Sequence, residues 1–455
     1  MIVWLFDLSL ALCLWLAPTA TAEGRGKIAG FGSSVCNGAG DELGRGGYFG
    51  RFRDLMAPRG WTVINVSRNG DNTVSIQERW EKNGSTSMRA VRDDQYLLPQ
   101  QPDYVFVGLS LANEGIRRED QRGRDSVAAQ FRSGLKGIVD ACRRRGISVA
   151  VGSCYPHNAY TPEQYRAIIT MNLTINTWDV PSTNLLGAID DGEGHWMRGF
   201  FHDEGHPNAG GHREMSFAIV PSLFDALNMR KPVPEVPASN ACARVDPGQE
   251  CGFEYEADDT IHAFAISFAV RTGPDAVLLR LKGITATLDS FQAPGGQAMV
   301  HVIGPGPTEV RSALTVRGGA IRYLPASGGD AMTPYPFSPG KWHHVTLSHR
   351  CAKGETQLFV DGECVATTRD RWLLQRVEFF GDGTVEGDDI MVHRSALARQ
   401  EVQALVAGRV LQSSLEIYAP LDERTFPRGG KAENRAQSLS QLKIRGMVHP
   451  MHREP

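Results

Sequence analysis

Cysteine is scarce in this chain, and so are long apolar runs. Only eight of the 455 residues are cysteine, and none of their spacings has the paired pattern of a zinc finger or ribbon. Charge of one sign is nowhere concentrated. The 48 basic and 51 acidic residues leave a net charge of −3 without a block of like charge, which removes nucleic acid from the expected partners. Beyond the N-terminus no stretch is long and apolar enough to cross a bilayer.

The N-terminus is the exception. Residues Ile2 to Leu16 are almost wholly apolar, break at Pro18 and end in Ala20-Thr21-Ala22, the small residues a signal peptidase reads. No Lys or Arg precedes this core and Asp7 interrupts it, yet about fifteen residues is short for a span of about twenty. A cleaved signal peptide over 1–22 and secretion are therefore expected. Cys13 leaves with it, and Cys36, Cys142, Cys154, Cys242, Cys251, Cys351 and Cys364 remain. That odd number leaves a thiol unpaired or pairing between chains. Cys242 and Cys251 are close enough in sequence to close a local loop. Cys351 and Cys364 fall at opposite ends of the middle strand of a three-strand meander, too far apart for a bridge. Sequons stand at Asn65, Asn83 and Asn172.

The remainder divides by period. From Lys27 to Asn228, short Val/Ile-rich runs at 27–33, 61–67, 104–110, 147–153 and 183–189 read as strands buried on both faces. Val127, Phe131, Leu135, Ile138 and Cys142 recur at helical spacing between the third and fourth, and Gly146 ends that helix. The pattern predicts an α/β domain over 23–230, three-layered on a five-stranded parallel sheet. Pro232, Pro234 and Pro237 mark a linker over 231–241. Beyond it the period is two, as in Phe264, Ile266, Phe268 and Val270. Asp361-Gly362 separates two strand-like runs as a hairpin turn does. An all-β jelly-roll sandwich is expected over 242–421, with one helix near 395–405 and a poorly ordered polar tail over 422–455.

Ligands bind at the carboxyl edge of open parallel sheets. The segments leaving that edge are Ser33-Ser34, SRNGDNT with Gly70, and GLSLANEG with Asn113; FHDEGHPNAGGH, with Asp203 and His206, follows late in the domain. A serine hydroxyl needs a base within hydrogen-bond reach, and a base needs an orienting group. His206 and Asp203 are of the right types and, three apart, can face one side. His202 competes for the role of base. Asp203 and His206 could instead hold a metal, but no third ligand stands at metal spacing. Attack on an ester creates an oxyanion, for which the Ser34 N–H, the Gly70 N–H and the Asn113 amide are suitable donors. Glu114 and His157 are expected to line the cleft.

These four segments, in this order and spacing, resemble the SGNH (GDSL-type) hydrolases, esterases and lipases with a flavodoxin-like fold. The resemblance covers Lys27 to Asn228. It implies Ser34 as nucleophile, Asp203 and His206 as its partners, Ser34, Gly70 and Asn113 as the oxyanion hole, and neither metal nor cofactor. The family usually has Asp where Ser33 stands, and Asp where Glu114 follows Asn113.

In the second half, FSPGKWHHVTLSH, LFVDGECV and EGDDIMVHRSALARQEVQAL resemble the laminin-G/concanavalin A-like domains over about Gly252 to Leu421. That resemblance implies a glycan or cell-surface ligand, and Asp388 and Asp389 are candidate calcium ligands. Taken together, the expectation is a secreted serine esterase acting on an acyl ester, foremost an O-acetylated carbohydrate. The alternatives are an interfacial lipase or phospholipase, and a binding protein with an inactive hydrolase domain.

Overall fold

The computed structural model describes residues 25–82, 91–117, 120–237, 239–292, 298–326 and 332–453. The expected signal peptide and the Asn83 sequon lie outside the described residues. Five strands, β1 (Lys27–Gly32), β2 (Thr62–Asn65), β3 (Tyr104–Gly108), β4 (Ser148–Gly152) and β5 (Ser182–Thr183), form a wholly parallel sheet in the order β2-β1-β3-β4-β5. Helices α1 (Ser34–Asn37), α2 (Gly47–Met56), α3 (Leu111–Glu114), α4 (Gln121–Arg144), α5 (Pro162–Ile175), α6 (Leu185–Ile189), α7 (Ala209–Phe217) and α8 (Leu223–Asn228) connect and follow these strands.

Successive side chains on a strand point to opposite faces, and the sheet is buried on both. Ile28, Phe106 and Ala150 enter one core with Tyr48, Phe49 and Phe52 of α2. Ala29, Phe31, Val105, Val107 and Val151 enter another with Phe131, Leu135 and Ile138 of α4 and Ile168 of α5. This is the three-layer domain that the apolar runs predict. The long helix α4 starts where Asp120 accepts a bond from the Gly123 N–H at 2.6 Å and ends before Gly146, whose φ is +72°.

The fifth run departs from expectation. Only Ser182–Thr183 pairs with β4, and residues 185–189 form α6. Asn184 caps that helix by accepting from the Gly187 N–H at 2.9 Å. A short apolar run cannot be divided into strand and helix by periodicity alone.

The second half is two antiparallel sheets face to face. One orders its strands Tyr335–Pro336, Ala320–Leu324, Ala298–Arg317, Ala276–Gln292, Trp372–Gly381, Phe253–Ile261, Leu442–Ile444 and Lys431–Ala432. The other orders Glu363–Arg369, Glu355–Val360, His343–Arg350, Phe264–Thr272, Val385–His393, Ala241–Val245 and Val448–His452, with Leu415–Ala419 also paired to Val385–His393. Phe253 and Tyr255 from one sheet meet Ile266 and Phe268 from the other in a shared core. At the predicted hairpin, Asp361 and Gly362 have φ of +51° and +85°, as a type I′ turn requires. The expected helix is α9 (Arg399–Val406).

Two other expectations are corrected. The tail is ordered: Leu442–Ile444 pairs with Phe253–Ile261 and with Lys431–Ala432, and Val448–His452 pairs with Ala241–Val245, so one sheet gains two strands from it and the other gains one. All seven described cysteines are free. Cys242 lies on a strand of one sheet and Cys251 just before a strand of the other, which separates the pair the local loop needed. Asp388 and Asp389 face Arg453, whose Nη1 donates to Asp388 at 2.8 Å and lies 3.9 Å from Asp389. Burial, then the neighbouring Asp389, pushes Asp388 up to about 7. A guanidinium from the tail meets these carboxylates. The Asn172 sequon is buried, its side chain accepting from the Cys154 N–H at 2.8 Å.

Residues 231–237 carry no regular element, as a proline linker should, yet the domains are packed tightly. Val300, Ile303, Ala352 and Leu373 of the sandwich share one buried cluster with Met215, Ile219 and Leu223 of the α/β domain. Each large apolar side chain so buried contributes roughly 1.5–3 kcal/mol, whereas an exposed pair such as Lys82–Asp93 is worth about 0–1 kcal/mol. Apolar burial therefore dominates the seam. Ser413, Ser414 and Gln412 add hydrogen bonds to Asn176, Ser182 and Trp178 at 2.7–3.1 Å.

Truncation after Asp422 should remove three strands, two from one sheet and one from the other, together with buried Leu442, Ile444 and Val448. Those three side chains represent roughly 5–8 kcal/mol, comparable with the whole stability of a domain. We expect an insoluble product or a melting temperature lower by at least about 10 °C; a truncated chain melting with the full-length protein would contradict the ordered tail.

Candidate active site

The order 2-1-3-4-5 reverses direction between β1 and β3, where open α/β sheets leave a crevice. Their backbones come very close there: a Cβ on Gly32 would stand 2.3 Å from the Gly108 carbonyl oxygen. Ser33, extended at φ −100° and ψ −158°, is the cap residue of α1 and is fully buried; Ser34 is the first residue of the helix. The pair thus divides into a buried member and one at the head of a four-residue helix.

Ser34 meets the late segment. His206 Nε2 and Ser34 Oγ are 2.9 Å apart, and His206 Nδ1 lies 2.8 and 2.9 Å from the two carboxylate oxygens of Asp203. A carboxylate only accepts, so Nδ1 carries the hydrogen and Nε2 is left to accept from the serine hydroxyl. Burial raises the Asp203 pKa, but hydrogen bonds from the His206 ring and the Gly205 N–H outweigh it and hold the carboxyl below its ordinary range. His202 does not take the base's position; its N–H donates to the His206 carbonyl at 2.9 Å. Gly40, at φ +88°, lies under this segment, and a Cβ there would stand 2.3 Å from the Pro207 carbonyl and 3.0 Å from the His206 Cβ.

Asn113 is held at both ends. Its Oδ1 accepts from the Ser110 N–H at 3.0 Å and the Tyr155 hydroxyl at 3.1 Å. Its Nδ2 donates to Ser33 Oγ at 3.1 Å. An amide nitrogen has two hydrogens, so Ser33 orients this one and leaves a second for another acceptor. The serine that stands where the family usually has aspartate therefore positions a candidate oxyanion donor. Gly70, at φ +80°, sits in a turn tied to the nucleophile: Arg68 N–H donates to Gly32 O at 3.0 Å, and Asn37 to Asn69 at 2.8 Å.

What holds that turn was not apparent from sequence. Asp71, fully buried, accepts from Arg68 at 2.6 and 2.9 Å, from Arg79 at 2.7 Å and from Ser75 at 3.1 Å. Arg79 in turn donates to the Val66 and Gln95 carbonyls at 2.5 Å each. A carboxylate flanked by arginines three before and eight after was the available signal, but surface ion pairs share it.

Glu114 does not line the cleft. It is buried, accepts from the Thr73 N–H and from Gln130 at 2.9 Å, and so braces the Gly70 segment against α4. His157 is beside the triad, with Nε2 3.4 Å from where a Gly205 Cβ would be. Its Nδ1 accepts from the Ala159 N–H at 3.1 Å. Burial first, then Arg117 and His206, push its pKa down to about 4, so near neutral pH it is an uncharged donor through Nε2.

Residues 31–214, which include all five site residues, match the GDSL-like lipase/acylhydrolase family. That match lies wholly within the α/β domain. No curated protein matches the chain. Similar solved structures include a protein from Desulfitobacterium hafniense assigned to the G-D-S-L lipolytic family, at 12% identity and TM-score 0.33 over 42% of this chain and 95% of that one. Another is an acetyl xylan esterase from Geobacillus stearothermophilus, at 16% identity and TM-score 0.32 over 42% and 92%. A third, from Bacteroides ovatus and described as carbohydrate binding, has 11% identity and TM-score 0.34 over 48% of this chain; the match spans 62% of its length.

Replacing Asn113 with Ala should lower kcat by about 10²–10³ with a much smaller effect on KM, the size of one lost oxyanion donor. Asp71→Asn leaves two buried guanidiniums short of charge and should destabilise the protein by about 3–5 kcal/mol. Denaturant midpoints read the second effect; no shift there would show that the turn is held otherwise.

Proposed function

We propose that this chain is a secreted serine ester hydrolase working through a covalent acyl-enzyme, and that its substrate is an O-acylated, foremost O-acetylated, carbohydrate. The observation that carries the reading is the unbroken chain Ser34–His206–Asp203, two hydrogen bonds of 2.9 and 2.8 Å beside three candidate oxyanion donors. The Ser34 hydroxyl gives its proton to His206 Nε2 as Oγ bonds to the ester carbonyl carbon, and the carbonyl oxygen becomes an oxyanion. The Ser34 and Gly70 N–H groups and the outward Asn113 N–H take that charge. His206 then returns the proton to the departing alcohol, and water, activated by the same ring, releases the acid and restores Ser34. Asp203 keeps the ring in the required tautomer and offsets its charge when protonated.

Exposure favours a polar ester over a long acyl chain. The Asp203 side chain is 51% and the His206 side chain 29% exposed, and His157, His202 and Arg117 are the neighbouring polar groups. Such an open, wet rim suits an acyl group carried on a polymer. The apolar segment Ile2–Leu16 supports export, and the sandwich is the candidate glycan-binding surface, by the architecture that joins it to the esterase.

A fluorophosphonate should label folded wild-type protein once, at Ser34, and Ser34→Ala should abolish labelling and lower ester turnover by at least about 10³-fold. Unlabelled folded protein would leave a binding protein with an inactive hydrolase domain. Along a series of nitrophenyl esters, kcat/KM should be highest for acetate and fall with chain length; a maximum at long chains would replace the carbohydrate substrate with a lipid.

A further inference from the structure

Helix α7, which follows the His206 segment directly, carries Glu214 on the side facing the sandwich. Its carboxylate meets His262, in the connection between Phe253–Ile261 and Phe264–Thr272, with Nδ1 3.1 and 3.0 Å from the two oxygens. The third member is Cys351, immediately after His343–Arg350. One donor atom from each of the three lies within 4.8 Å of the others, and all three residues are at most 2% exposed. Phe217 stacks on His262 at 3.9 Å, and Cys351 lies in the apolar cluster that joins the domains.

This arrangement is poorly balanced as an ion pair alone. A carboxylate in apolar surroundings needs several donors or a cation, and the hydrogen bonds of Glu214 come from one ring nitrogen. One divalent cation resolves this: carboxylate, thiolate and neutral imidazole sum with it to zero charge. The geometry is close to what such an ion requires. Ligands about 2.0 Å from a tetrahedral metal stand about 3.3 Å apart, against the 3.0–3.1 Å between Nδ1 and the Glu214 oxygens. The Cys351 carbonyl is anchored by the Arg371 Nε–H at 3.0 Å and the Gly354 N–H at 3.0 Å, so the backbone beneath the sulfur is fixed.

We propose that Glu214, His262 and Cys351 form a structural zinc site that pins the sandwich to the helix behind the catalytic segment. A thiolate with imidazole and a single carboxylate selects zinc over magnesium or calcium, which take oxygen ligands. The ligands come from both domains and from three separate stretches of sequence, so no spacing motif marks them.

Full-length protein expressed with zinc and dialysed against metal-free buffer should retain about one zinc per chain, read by plasma mass spectrometry. Cys351→Ser and His262→Asn should retain less than about a fifth of that. Cobalt loaded in place of zinc should show a near-ultraviolet thiolate-to-cobalt band that Cys351→Ser lacks. Ester turnover by Cys351→Ser, which alters no group at the triad, reports that this variant is folded. Wild-type protein with no zinc after incubation in excess, equal zinc in both variants, or cobalt binding without the thiolate band would each overturn the site.

Discussion

The site depends on where one irregular segment is held. Gly199 to Asn208 carries both Asp203 and His206, yet its only strand-like pairing is the bridge between Phe201 and Pro207. Its ends are joined by Asn208 Nδ2 donating to the Gly199 carbonyl at 2.9 Å. The same carbonyl accepts from the Val300 N–H at 2.8 Å, so the sandwich strand Ala298–Arg317 shares in closing the segment. On the other side it rests on Gly40, where no Cβ fits. A displacement of about an ångström can cost an enzyme about two orders of magnitude in rate, and these contacts restrain the segment that carries the imidazole.

The sandwich is therefore part of the scaffold of the candidate site as well as a candidate binding surface. A proline-rich linker permits independent motion, but the apolar seam and the hydrogen bonds around Ser182, Ser413 and Ser414 oppose it. Any surface of the sandwich that holds a polymer would hold it at a fixed distance and orientation from Ser34. Under a rigid join, geometry rather than linker length decides which acyl group along a polymer can be reached.

Much of this was legible in sequence. Three of the apolar runs became parallel strands buried along nearly their whole length, as uninterrupted Val and Ile demand, and a fourth became the part-exposed edge strand β2; α4 declared itself through a long apolar stripe and a terminal glycine. Ser34, Asp203 and His206 were legible because the chemistry needs those types in those roles, and Asn113 and Gly70 because loops leaving one sheet edge converge. Residues 185–189 were not, since a five-residue apolar run fits strand and helix alike until the Asn184 cap is known. The tail misled because polarity suggests disorder, whereas a strand paired at a sheet edge needs few apolar residues. Glu114 was misplaced for a related reason: a carboxylate near a nucleophile suggests chemistry, and only its bonds to Thr73 and Gln130 show a brace.

By itself, the sequence determined the fold class of each half and which side chains are the candidate reacting groups, because periodicity and residue chemistry are local properties. The tertiary structure alone decided what Ser33 does for Asn113, how Asp71 secures the Gly70 turn, and that Glu214, His262 and Cys351 meet. Each of these is a contact between segments distant along the chain, and its energy depends on burial and distance, which no sequence interval encodes.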